Sequence, residues 1–112
     1  CISSAASDVY KRQISRQIKI LHPEGLVIAV DASLGQKKHL GYVTIADGAL
    51  YPGAAVQKEL PPVGDIHITG IVNIAGVLEQ LTLQTTRLST VISLADTITQ
   101  GIVNYTNSLI CL

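Results

Sequence analysis

The chain contains no phenylalanine, tryptophan or methionine, and only two of its 112 residues are cysteine. Its core must therefore be built from Ile, Leu, Val and Ala, which supply most of the 47% apolar content. Cys1 and Cys111 stand at opposite ends, and neither belongs to a CxxC or a Cys/His group of metal-ligand spacing. That usage points to a reducing compartment, and a cytoplasmic location is the expectation. Charge is scarce as well: 14% of residues are charged, and eight basic side chains balance eight acidic ones. No electrostatic footprint for nucleic acid follows from that balance. The longest uncharged stretch, residues 97–112, is too rich in Thr, Asn and Gln to span a bilayer. GxGxxG, GxxxxGK[ST] and GxSxG are all missing, so nucleotide binding and a serine nucleophile elbow have no motif behind them.

A chain of this length suits one compact domain. Residues 1–13, CISSAASDVYKRQ, show no apolar periodicity and read as an adapter-like, non-native segment. On that reading, residues 14–112 are the C-terminal part of a single domain whose true N-terminus is missing. From Ile14 the pattern is clearer: Ile14, Ile18 and Leu21 recur at helical spacing, and Pro23 and Gly25 end that helix. Leu26 to Val30 is an unbroken apolar run, as expected of a strand buried on both faces of a parallel sheet. Tyr42 to Asp47 and Ile66 to Val72 read as two further strands. Between them, Gly48 to Val56 carries Gly and Pro-Gly turn chemistry, and the two prolines of Lys58 to Asp65 demand a loop. Val77, Leu78 and Leu81 mark a short helix. Leu88, Val91, Ile92, Ala95, Ile98 and Ile102 form a longer helical stripe. The order helix, three strands, two helices predicts an α/β sheet covered by helices.

Two polar residues interrupt this apolar scheme. Asp31 directly follows the run Leu26 to Val30, where the carboxyl ends of strands in open α/β sheets collect ligands. It would equally serve as a loop cap through the amides of Ser33 or Leu34. His67 stands between Ile66 and Ile68, and its imidazole can carry a proton or bind a metal near neutral pH, or simply hydrogen-bond within the strand. If the two converge on one crevice, Ala32, Ser33, Thr69 and Asn73 are the expected lining, with Ser33, Thr69 and Asn73 as substrate-binding candidates. Asn73 has the amide to donate to a reacting carbonyl, or alternatively to cap the next helix. Lys37, Lys38 and His39 make a short basic loop that reads as solvated, with contact to an acidic substrate as the alternative.

The segments DASLG, YPGAAV, LPPVGDIHITGIVN and LQTTRLS resemble those of the YyaC-type sporulation proteins, relatives of the germination protease, over about residues 14 to 105. His67 to Gly70, HITG, is also similar to the His-x-Thr-Gly segment of the hydrogenase-maturation endopeptidases. The resemblance implies a three-layer α/β/α domain of the phosphorylase/hydrolase-like kind with a mostly parallel sheet, here incomplete. It implies a peptidase-like hydrolase acting on a protein or peptide in the forespore or sporulating cell, with oligomerisation left open. By the same resemblance Asp31 matches the second of two catalytic aspartates and His67 a ligand-type histidine, so that both are candidates for catalysis and for holding a divalent metal. The first family acid, in a glycine-rich segment, has no counterpart here: Asp8 lacks the glycine context. Peptide hydrolysis needs one group to activate water and another to protonate the leaving amine, so a chain with one of two acids is incomplete as a catalyst. The reading of different class is a non-catalytic structural or protein-interaction module of sporulation.

Overall fold

A computed structural model describes residues 4–52, 60–76, 81–82 and 85–110. Its elements in chain order are helix α1 (Ser4–Leu21), strand β1 (Ile28–Gly35), a 3-10 turn (Lys37–His39), strand β2 (Val43–Asp47), strand β3 (Ile66–Ile74) and helix α2 (Leu88–Ile110). Among the described residues the fold is mixed α/β, with a three-stranded sheet in the order β1-β3-β2. β1 runs parallel to β3 and β2 antiparallel to it, so the sheet is mixed.

Several boundaries differ from those read off the sequence. α1 begins at Ser4 and runs without interruption to Leu21. β1 starts two residues later than the apolar run and continues through Gly35, which places Asp31 in mid-strand and not at a carboxyl terminus. The alternation of DASL is compatible with extended backbone, and pairing with β3 carries it past the end of the apolar run. The short helix expected around residues 77–81 falls largely outside the described residues, although 81 and 82 are helical.

At the entry to the sheet, Asp65 ties the strands together. Its backbone N–H donates to the Val27 carbonyl at 2.7 Å, its carboxylate accepts the Val27 N–H at 2.9 Å, and its own carbonyl accepts the Gly48 N–H at 2.8 Å. Gly64, with φ of +90°, makes this junction possible: a Cβ there would lie 3.0 Å from the Ala29 Cβ. In the described part of the loop expected over Lys58 to Asp65, residues 60–62 have no regular structure, and Val63 then exchanges backbone hydrogen bonds of 2.7 and 2.8 Å with Leu50.

Helix α2 packs over Gly70 of β3. A side chain at Gly70 would meet Leu94 within 3.3 Å and Ile98 within 3.8 Å, so the missing Cβ lets the helix approach the sheet. The buried apolar side chains among the described residues are Ala29, Ile68, Ile71, Val72, Leu94 and Ile98. The inward face of α2 thus turns on Leu94 and Ile98, whereas Leu88 and Ile92 of the expected stripe are exposed. Both stripes satisfy helical periodicity, and the flat spot at Gly70 selects the one used.

Candidate functional site

Strand register builds the candidate site. In the β1–β3 ladder Asp31 stands opposite Thr69 and Ala29 opposite His67; in the β2–β3 ladder Thr44 stands opposite Thr69 and Ala46 opposite His67. Cross-strand partners share a face, and side chains alternate along a strand. Asp31, Thr69 and Thr44 therefore form one row across all three strands, with Ala29, His67 and Ala46 in the next row on the same face. Strand spacing and rise put the Cα atoms of Asp31 and His67 about 8 Å apart. Thr44 and Thr69 join their hydroxyls in a short hydrogen bond. The opposite face, with Ile68 and Gly70, belongs to α2.

The partners of the two central groups differ. The Asp31 carboxylate is exposed, and its Oδ1 accepts the N–H of Ala32 at 2.8 Å. This amide takes the place of the Ser33 or Leu34 amides expected for a cap. The half-buried His67 places Nδ1 3.0 Å from the Gly48 carbonyl oxygen. Since a carbonyl only accepts, Nδ1 carries the proton, and Nε2 is left as the nitrogen for accepting a proton or binding a ligand. Gly48 reaches this position through φ of +98° at the end of β2.

The remaining sequence candidates separate. Thr69 lies within the polar row, between Asp31 and Thr44. Ser33 is paired with Ile71, one step further along β1 on the Asp31 face. Asn73 is drawn away: its amide donates to the Thr82 carbonyl at 3.5 Å and to the Thr86 hydroxyl at 3.4 Å, and its Oδ1 accepts the Ile74 N–H at 2.8 Å. Those contacts tie the end of β3 to the segment before α2. Ala32 lines the cavity between β1 and α2, which Asp31 also borders but Ser33, Thr69 and Asn73 do not. Thr44 was missed by sequence reasoning, because an isolated Thr in a strand looks like ordinary β-propensity and only the register reveals its partner.

As a metal centre the donor set is short. No group of three or more His, Cys, Asp or Glu that would hold a metal ion occurs among the described residues. Asp31 and His67 supply two donors where protein metal sites use three or four. What the arrangement offers without a metal is a carboxylate, an imidazole nitrogen and two hydroxyls on one open face, a set able to orient and deprotonate water beside a polar substrate. Among the described residues no helix is long and apolar enough to cross a membrane.

Comparisons with known proteins place the chain in a family. Over 82 residues the chain is 52% identical to the uncharacterized protein YyaC of Bacillus subtilis (strain 168), a match covering 73% of this chain and 40% of that protein. The chain thus spans less than half the length of the relative. No solved structure matches it. The signature of a family described as "Protein of unknown function (DUF1256)" matches residues 5–101, and the chain belongs to that family.

Proposed function

We propose that this chain is part of a sporulation-associated, peptidase-like hydrolase of the forespore or sporulating-cell cytoplasm, acting on a protein or peptide. Asp31 is the acid–base carboxylate and His67 its partner. The observation that carries the reading is the register: Asp31 beside Thr69, with His67 one row away on the same face and its Nε2 left available by the Nδ1–Gly48 bond. In this reading Asp31 deprotonates a water positioned by the Thr69 and Thr44 hydroxyls, and protonated His67 delivers a proton to the leaving amine. The first family acid and the further strands of a three-layer α/β/α domain belong to the longer polypeptide.

One observation favours the alternative, a non-catalytic interaction module. Asp31 is the single carboxylate of the polar row, and one of its oxygens is already occupied by the Ala32 N–H. The deciding experiment incubates this chain, and separately the full-length Bacillus subtilis relative, with unfolded protein substrates and reads new N-termini by mass spectrometry. Cleavage that disappears on Asp31→Asn, or on the matching change in the relative, supports the hydrolase. Equal products from variant and parent, or none from the full-length relative, support the module.

A further inference from the structure

A cavity of about 450 Å³ lies apart from the Asp31–Thr69 row, between the end of α1 and the chain that enters the sheet. That volume is within the range of small-molecule pockets. α1 and the turn after it contribute Ser15, Lys19 and His22. Positions 15, 19 and 22 follow the spacing i, i+4, i+7 and so share one helix face. His22 keeps to that face because its N–H donates to the Ile18 carbonyl at 2.9 Å, one bond beyond the last helical residue. Residues 62–65 and Val27 complete the wall.

Charges of both signs line this cavity, with Asp65 its one carboxylate and Lys19 its one ammonium. They are not partners. Asp65 Oδ2 accepts the Val27 N–H at 2.9 Å, which holds the carboxylate in place, and among the described residues no bond occupies its Oδ1, the Lys19 ammonium or the His22 ring. Ile18, Val27 and Val63 add apolar surface. A simple anion would gain Lys19 but meet repulsion from Asp65, and a simple cation the reverse. A zwitterion satisfies both groups, and an aliphatic body on it covers the apolar wall.

We propose that this cavity binds a free α-amino acid with a branched aliphatic side chain. The α-carboxylate of the ligand takes the Lys19 side, where the Ser15 hydroxyl and a His22 ring N–H also donate. Its ammonium donates to Asp65 Oδ1, and its side chain covers Ile18, Val27 and Val63. Asp65 also leads back to His67: the Asp65 carbonyl accepts the Gly48 N–H at 2.8 Å, and the Gly48 carbonyl accepts from His67 Nδ1 at 3.0 Å. The amides of Val27 and Gly48 therefore report occupancy. Binding here does not depend on the hydrolase reading.

The test titrates L-leucine into the isotope-labelled chain and follows its amide resonances. Saturable shifts are expected at Val27, Gly48 and Val63, with a Kd of about 1 mM or tighter. N-acetyl-leucine lacks the ammonium and leucinamide the carboxylate, so each should bind about tenfold more weakly or worse. Lys19→Gln, at an exposed position, and Asp65→Asn, which retains an oxygen for the Val27 N–H, should each weaken leucine binding by about tenfold while amide dispersion shows the fold intact. Three results overturn the proposal: leucine gives no saturable shift; the folded Lys19→Gln variant binds it unchanged; or N-acetyl-leucine, leucinamide or inorganic phosphate binds as tightly as leucine, which would assign the cavity to an acid, an amine or a simple anion.

Discussion

Asp31 of β1 and Thr69 of β3 face each other in the parallel ladder, and Thr44 of β2 completes the row from the other side. The carboxylate stands beside two hydroxyls, and nothing in packing requires it there. The side chain of Asp31 is exposed and no polar or charged residue among those described is buried. Its charge is therefore separable from the fold.

That separation makes the first prediction direct. Asp31→Asn retains the volume and the oxygen that accepts the Ala32 N–H, so stability should change by no more than about 0.5 kcal/mol. Hydrolysis, where present, should fall by about 10²-fold or more, as expected for loss of a general base. Urea denaturation and turnover measured on the same preparation check both parts.

How much of this was legible beforehand is best seen residue by residue. The apolar run predicted β1 but not its extension through Asp31, because strand length is set by pairing with β3 and not by hydrophobicity. The elements of β2 and β3 were readable from their β-branched content; the antiparallel direction of β2 was not, since a strand pattern carries no polarity. Leu94 escaped because helical periodicity admits more than one stripe, and the choice depends on the absent side chain at Gly70. Asp31 and His67 stood out as polar interruptions, whereas Thr44 and the carbonyl of Gly48 acquire meaning only through register and a positive φ.

Gly64 and Gly41 form a controlled comparison. Both have positive φ, +90° and +84°, but a Cβ at Gly64 would be 3.0 Å from the Ala29 Cβ while Gly41 faces open space. Gly41→Ala should cost about 1 kcal/mol, the left-handed backbone penalty alone. Gly64→Ala adds a clash at the junction held by Asp65 and should cost roughly 2 kcal/mol or more. Equal midpoints in urea for the two variants would show that Ala29 yields without strain.

The docking of α2 over Gly70 predicts a volume exchange. Gly70→Val inserts methyl groups where Leu94 already lies within 3.3 Å, which should destabilise by about 1 to 3 kcal/mol. Leu94→Ala alone should cost about 2 kcal/mol or more through lost burial. Combined, the two changes should be less damaging than their sum, because the space vacated by Leu94 receives the new methyls. Additive losses in thermal or urea unfolding would mean that the helix does not seat on this glycine.

His67 is the site residue whose structural and chemical roles can be pulled apart by substitution. Its Nδ1–H donates to the Gly48 carbonyl, so His67→Phe keeps a ring in the strand but leaves that carbonyl without its imidazole donor. Gly48 is exposed and water can replace the donor, which limits the cost to about 1 kcal/mol. His67→Asn can restore a donor of different reach without supplying an imidazole nitrogen at the Nε2 position. If His67 only fastens the end of β2, Asn should recover stability, and any hydrolysis should return with it. If Nε2 carries the proton to the leaving group, both variants should lose turnover by about 10²-fold while binding of substrate, read from KM, stays within a few-fold. Amide exchange at Gly48 in the same variants reports the fastening role independently, so rescue of the turn without rescue of turnover assigns the imidazole to chemistry.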